Sequence, residues 1–148
     1  MNTTRTPVVF IHRLRLHAGR AISLTAEQIR NAFGNAASQE ESDALYQQWG
    51  IPAPGKPLFE ASIANFSPHS PAKVDTSNSE RGPLLLMMGG KDHTVPEAIT
   101  KSTLKRYRGS DAVTVLAEFP DRGHSLTIDS GWRTVAGECL SSLARQGL

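Results

Sequence analysis

The chain has a single cysteine, Cys139, among its 148 residues. One thiol cannot form a disulfide within the chain, and such sparse use of cysteine agrees with a reducing compartment. Long hydrophobic runs are also missing, since the longest, VVFI and LLLMM, fall far short of the roughly 20 residues of a membrane-spanning helix. We therefore expect a cytoplasmic protein with no membrane span.

Neither sign of charge dominates the chain. Lysine and arginine number 16, against 14 aspartate and glutamate residues, so the formal net charge is +2. A charge this small does not by itself indicate nucleic-acid binding, and we expect no nucleic-acid partner. The one basic cluster lies close to acidic residues in sequence and has no accompanying aromatic pattern, which favours a solvated helix face. It consists of Lys101, Lys105, Arg106 and Arg108.

The first 26 residues contain four arginines and no acidic residue. An arginine-rich, acid-free start resembles a transit peptide. The segment Thr6–His12, TPVVFIH, is nevertheless apolar and rich in β-branched residues, which favours a buried strand over an amphipathic targeting helix. We interpret it as a strand.

Spacings typical of metal sites are missing as well. The chain has no HExxH pair and, with one cysteine, no Cys/His pairing of the zinc-binding kind. We therefore expect neither a metal ion nor a cofactor. The candidate ligands that this interpretation sets aside are His12, His17, His93 and His124, with Asp92 as an oxygen donor.

The first half of the chain has the local signals of short helices. The segments 25–28 (TAEQ) and 38–41 (SQEE) have the spacing of a capping box. The helices that follow them are predicted to end at Gly34 and at Gly50. Apolar side chains on one face predict a third short helix over 58–66.

The pattern becomes regular in the second half of the chain. The apolar segments 83–88 and 113–119 are predicted to be strands. A helix is predicted to begin at Pro96 and to end near Gly109, and a last helix is predicted over 132–144. Strand, helix, strand, helix is a βαβα unit, which implies an α/β fold with a parallel sheet covered by helices.

Each predicted strand is followed by a side chain that can take part in catalysis. The turn GGKDHTV presents Asp92 after the first strand, and the loop PDRGHS presents His124 after the second. The acid and the base of a catalytic triad are placed in this way. On the residues alone, Asp92 could instead cap the helix that begins near Pro96, with His124 an ordinary loop residue.

These segments resemble the end of an α/β hydrolase. In GPLLLMMGGKDHTVP the acid follows one late strand, and in EFPDRGHSLTIDSGW the histidine follows the last. The segment TPVVFIHRLRLHA is similar to the early strand and His-Gly loop of the same family. The resemblance implies a single truncated domain over 1–148, with a short parallel sheet of about three strands flanked by helices. It would comprise an early strand and loop (1–19), a helical lid (20–71) and a C-terminal βαβα part (72–148).

The resemblance also implies roles for individual residues. His124 would be the general base and acid, and Asp92 would hold the imidazole in the correct tautomer. The implied activity is that of a serine-type acyl hydrolase acting on small apolar esters. The aromatic residues of the lid could line an acyl pocket, although packing of the lid on its own sheet needs the same residues. They are Trp49, Phe59 and Phe66.

The family's nucleophile elbow, G-x-S-x-G, has no counterpart here. No serine has this context, including Ser125 and Ser130. Arg13 stands where the family has the glycine of the His-Gly loop, so one oxyanion donor is compromised too. The chain resembles a hydrolase with an internal deletion joined between His17 and Arg20, and we expect its hydrolase activity to be impaired or lost.

Two non-catalytic functions are also compatible with a sequence that has no nucleophile elbow. The chain could be a remnant that binds small apolar ligands under its lid, or a fragment that interacts with another protein. With the central strands missing, 8–11 would pair directly with 84–88, which leaves a sheet edge exposed. We expect marginal stability or self-association through this edge.

Overall fold

The computed structural model describes residues 21–67 and 69–148, in which there are five α-helices and four short strands. In chain order these are β1 (Ala21–Ile22), α1 (Ala26–Ala32), α2 (Gln39–Trp49), β2 (Ala53–Pro54), α3 (Lys56–Ile63), β3 (Leu84–Gly89), α4 (Glu97–Arg106), β4 (Thr114–Phe119) and α5 (Trp132–Arg145). Short 3₁₀ helices, Ala64–Phe66 and Tyr107–Gly109, extend α3 and α4. None of the described helices is long and apolar enough to cross a membrane.

The described residues fall into two compact units. The first contains 21–24 with 51–67 and 69–74, and the second contains 25–50 with 75–148. The range predicted to be the lid, 20–71, is thus divided between the two units.

The first unit contains one small antiparallel ladder. Its strands β1 and β2 pair with Ala21 opposite Pro54 and Ile22 opposite Ala53. The helix predicted over 58–66 is confirmed, since α3 and its 3₁₀ extension occupy this region. A proline at the start of α3 suits a helix N-terminus, where its missing N–H leaves no hydrogen bond unmade.

The second unit contains the predicted βαβα arrangement. Strands β3 and β4 are parallel and paired along their whole length, from Leu84 opposite Thr114 to Gly89 opposite Phe119. Helix α4 is the crossover between them, and α5 follows β4. The α/β class is confirmed, and within the described residues the parallel sheet has two strands. The third strand, predicted over 8–11, lies outside the described residues.

The two predicted helix caps differ in the structure. At α1 the capping box is complete, because Thr25 and Gln28 exchange hydrogen bonds between side chain and backbone. At α2 the Ser38 hydroxyl accepts from the Glu41 amide at 3.1 Å. The prediction that Glu41 returns the bond is wrong, because its carboxylate instead accepts from the backbone N–H of Ser130, in the loop before α5.

The apolar core of the second unit is small. Only four described apolar side chains are less than a tenth exposed: Leu45 of α2, Met88 of β3, Leu126 of the loop after β4, and Val135 of α5. Each comes from a different part of the unit, so the buried apolar side chains are distributed over α2, the sheet, the loop after β4 and α5. Because so few apolar side chains are buried, hydrogen bonds contribute a large share of the stability of the second unit.

Arg81 joins the segment before β3 to the start of β4. Its guanidinium donates hydrogen bonds to the Thr114 hydroxyl at 2.5 Å and to the carbonyls of Ala112 and Val113, each at 3.1 Å. It also lies over the ring of Tyr107, 4.9 Å from the centroid. The planar, multiply donating guanidinium suits this set of acceptors better than an ammonium group would.

Replacement of Arg81 by alanine is expected to lower the free energy of unfolding by about 1–3 kcal/mol, since two partly buried acceptors, on Ala112 and Thr114, lose their donor. Urea denaturation followed by circular dichroism would measure the change. The control is Arg108→Ala, because this arginine is exposed and its replacement is expected to change stability by no more than about 0.5 kcal/mol. Equal effects of the two substitutions would contradict the role of Arg81.

Candidate active site

The loop after β3 holds the carboxylate of Asp92 in one orientation. One carboxylate oxygen, Oδ1, accepts the backbone N–H groups of Thr94 and Val95, both at 2.8 Å. The side chain is only 7% exposed. Asp92 therefore organises the turn that leads into α4, and its second oxygen, Oδ2, is left for another donor.

That donor is His124, from the loop after β4. Its Nδ1 lies 2.9 Å from Oδ2 of Asp92, and 31% of the imidazole side chain is exposed. Because a carboxylate accepts, Nδ1 carries the proton, and Nε2 is the basic nitrogen of the neutral ring. The two residues predicted to form the acid–base pair are thus brought together with the orientation that a triad requires. Their role in catalysis stays a prediction.

Backbone hydrogen bonds join the two loops beyond the ends of their strands. The N–H of Gly90 donates to the carbonyl of Phe119, and the N–H of Lys91 donates to that of Arg122, each at 2.9 Å. The Lys91 ammonium and the Asp121 carboxylate add an exposed ion pair at 3.2 Å, which stabilises little on its own. The backbone ladder of β3 and β4 continues in this way up to the Asp–His pair.

The glycine pair Gly89-Gly90 allows this close approach. A Cβ atom on Gly89 would lie 2.7 Å from the carbonyl oxygens of both Arg122 and Gly123. A Cβ on Gly90 would overlap the backbone of Pro120. Since these obstacles are backbone atoms, they cannot rotate aside as a side chain can. The glycines of GGKDH are therefore needed for packing of the acid loop on the histidine loop.

An internal ion pair shapes the rest of the histidine loop. The guanidinium of Arg122 pairs with the carboxylate of Asp129, which is 8% exposed. The backbone N–H of Gly131 donates to the same carboxylate at 3.1 Å. Arg122 fills the space that a side chain at position 131 would need. The loop that carries His124 is consequently closed onto the start of α5.

A cleft of about 250 Å³ opens beside the Asp–His pair. Asp92 and His124 both lie in its wall, and the hydroxyl-bearing residues Thr100 and Thr127 line it as well. The remaining side chains of the wall are apolar, namely Met87, Met88, Val95 and Leu126. The cleft therefore combines one acid–base pair with a largely apolar surface, a composition typical of small-molecule sites.

A second cleft, of about 260 Å³, lies between the sheet and α5. Its walls are mainly apolar, with side chains such as Leu85, Val115 and Leu143, and Cys139 and Ser142 contribute polar atoms. No acidic or basic side chain lines it. Of these two clefts, only the one beside His124 contains an acid–base pair.

No serine or cysteine among the described residues lines the cleft beside His124. Ser125, the serine next to the histidine, donates its hydroxyl to the carbonyl of Phe33 at 2.7 Å. The residues predicted to correspond to the oxyanion loop, His12 and Arg13, lie outside the described residues. The described part of the site is therefore an acid–base pair without a serine or cysteine nucleophile.

Sequence reasoning missed Phe33. Its ring meets the imidazole of His124 edge to face, with centroids 4.9 Å apart and planes at 64°. The sequence signals placed a helix end at Gly34, but nothing in them pointed to the loop that this helix end contacts. Of the lid aromatics that could line an acyl pocket or pack on the sheet, Trp49 and Phe66 are 53% and 88% exposed and line neither cleft. The side chain of Phe59 lies outside the described part.

The other charged groups have simpler surroundings. Across 21–67 and 69–148 no three histidine, cysteine or acidic side chains converge as metal ligands would. The basic cluster of α4 and its extension is exposed, as predicted. In this cluster, Lys101 donates to Glu97 at 2.7 Å, and this hydrogen bond raises the pKa of the lysine.

Comparison of the chain with protein-family models, with curated proteins and with solved structures gave no match. The relationship to α/β hydrolases therefore stays a prediction from the sequence segments.

The substitution Gly90→Ala tests the packing of the two loops. The new methyl group meets the Pro120 backbone, so we expect the free energy of unfolding to fall by about 1–3 kcal/mol. The matched control is Gly137→Ala in α5, where a Cβ has open space and is expected to stabilise the helix by about 0.5–1 kcal/mol. Chemical denaturation of both variants gives the comparison. A stabilising effect of Gly90→Ala would contradict the close approach.

Proposed function

We propose that the protein is a slow acyl-ester hydrolase of the α/β-hydrolase type in which the Asp92–His124 pair activates water. The observation that carries this proposal is the 2.9 Å hydrogen bond between Nδ1 of His124 and Oδ2 of Asp92. A carboxylate that also accepts two backbone N–H groups cannot easily turn away from the imidazole. The pair is therefore preorganised for general-base catalysis at Nε2.

The cleft supports small apolar esters as the substrate class. Its apolar side chains offer a surface for an acyl or alkyl group beside the imidazole, whereas no lysine or arginine among the described residues lines it to hold a phosphate or a carboxylate. At about 250 Å³ the cleft is slightly smaller than the ~300 Å³ at which pockets for drug-sized ligands begin. Short acyl chains are thus the expected substrates.

The proposed reaction needs one proton acceptor and one proton donor. Nε2 of His124 takes a proton from water as the oxygen attacks the ester carbonyl, and the resulting imidazolium returns it to the departing alkoxide. Asp92 stabilises the imidazolium without accepting its proton. With water as the nucleophile the reaction has no acyl-enzyme stage, so no burst of alcohol release is expected.

Binding of apolar ligands without turnover is the second candidate function. It is favoured by the wall of the cleft, which is largely apolar and contains no serine or cysteine among the described residues. In that case the Asp92–His124 pair would act only as a polar contact for the bound molecule. Saturable ligand binding that is not accompanied by hydrolysis above the buffer rate would favour this function.

Hydrolysis of p-nitrophenyl acetate and butyrate tests the first candidate. We expect His124→Ala to reduce kcat/KM by about 10²-fold or more, because general acid–base catalysis is lost. Asp92→Asn is expected to reduce it by about tenfold or more, because the amide no longer holds the Nδ1–H tautomer. His69→Ala, which removes another, exposed histidine, controls for unspecific catalysis by imidazole. Equal rates in all three variants and the wild type would exclude the Asp–His pair as the source of activity.

A fluorophosphonate probe with intact-mass detection distinguishes water from a hidden serine nucleophile. The probe needs only an activated hydroxyl, so a serine enzyme gains one adduct whatever its natural substrate. We expect no adduct on the folded protein. A single adduct that disappears in His124→Ala would show that a serine acts as the nucleophile, and the proposed attack by water would be wrong.

A further inference from the structure

The C-terminal end of α1 contacts both loops that carry the Asp–His pair. Helix ends leave carbonyl groups without partners inside the helix. We name the segment 31–35 the α1 clamp. Three consecutive backbone carbonyls of this segment accept hydrogen bonds from side chains of the two loops. The pairs are His93 Nδ1 with Asn31 at 2.9 Å, Thr94 Oγ1 with Ala32 at 2.7 Å, and Ser125 Oγ with Phe33 at 2.7 Å.

Two side chains of the α1 clamp also reach the loops. The ring of Phe33 lies edge to face against the imidazole of His124. The amide of Asn35 donates from Nδ2 to the carbonyl of Lys91 at 2.7 Å. Its Oδ1 lies against Gly123, where an added Cβ would be only 2.9 Å away. Asn35 thus touches the residue that precedes Asp92 and the residue that precedes His124.

The two polar atoms of the Asn35 amide have different surroundings. No described residue donates a hydrogen bond to its buried Oδ1, and a buried acceptor without a donor is unfavourable for folding. A shorter apolar side chain would avoid that cost, but it would lose the bond to Lys91. The unfavourable buried acceptor thus belongs to a side chain that contacts both loops and connects them more tightly.

We propose that the α1 clamp positions the imidazole of His124, with Phe33 and Asn35 as its positioning residues. The phenyl ring of Phe33 limits rotation of the imidazole, and Asn35 keeps the histidine loop in register with the acid loop. Reacting groups need this kind of support, because a displacement of about 1 Å can cost about 10²-fold in rate. The effect on turnover rests on the proposed hydrolase function, whereas the orientation of the imidazole does not.

The test compares Asn35→Ala and Phe33→Leu with Asn31→Ala. Asn31 is the matched control, because the clamp uses only its carbonyl and its side chain is exposed. Nuclear magnetic resonance of ¹⁵N-histidine-labelled protein reports whether Nδ1 of His124 holds its proton. We expect the Nδ1–H signal of His124, assigned by its absence in His124→Ala, to be protected in the wild type and in Asn31→Ala and to be lost by exchange in the other two. For ester hydrolysis we expect kcat to fall about tenfold with little change in KM.

Replacement of the partly buried Phe33 or Asn35 can impair folding. A second pair of variants therefore tests the clamp at an exposed residue. Thr94 is exposed, so Thr94→Ala removes its hydroxyl without a cavity, and Thr94→Ser retains it. We expect Thr94→Ala to weaken the protected Nδ1–H signal and Thr94→Ser to restore it. An unchanged signal in folded Thr94→Ala, Asn35→Ala or Phe33→Leu would overturn the clamp. Lack of esterase activity in the wild type, with the signal behaving as expected, would instead refute the proposed function alone.

Discussion

The close approach of the loops that follow β3 and β4 is the constraint on which the site depends. Parallel pairing brings the carboxyl ends of both strands to one edge of the sheet. The glycines at 89 and 90 then allow the backbones of the two loops to come within contact distance. A side chain at either position would separate the loops. The hydrogen bond between Asp92 and His124 is a consequence of this backbone contact.

Polar contacts have an unusually large part in the second unit because its apolar core is small. The end of α1 satisfies its free carbonyls with side chains from the two loops, and the carboxylate of Glu41 secures the loop before α5. Each such hydrogen bond contributes about 0.5–1.5 kcal/mol to the free energy of unfolding. Together they surround the histidine loop with fixed partners, so its imidazole is held from more than one side.

The chemistry that this arrangement supports is narrower than that of a complete triad. An oriented imidazole can move a proton, but attack on a carbonyl also needs a nucleophile and a donor for the developing oxyanion. No serine or cysteine is found among the described residues that line the cleft. Water is the nucleophile that requires no further side chain, and slow ester hydrolysis is therefore the proposed activity.

Much of the second unit was determined by local sequence. The capping box at Thr25, the apolar periodicity of the strands and the glycines after the helices place element boundaries within one or two residues of those observed. These signals act over a few residues and need no knowledge of distant partners. The order strand, helix, strand, helix then made a parallel pair the expected topology, and with it a meeting of Asp92 and His124.

Only the tertiary structure decided which distant groups meet. Glu41 has the sequence spacing of a capping residue, yet it binds the backbone of Ser130 because that N–H has no helical partner of its own. Phe33 and Asn35 carry no motif, and their contacts with His124 and Lys91 arise from the direction in which α1 ends. Local signals specify that a helix stops, whereas the partners of its free carbonyls depend on chain segments more than 50 residues away.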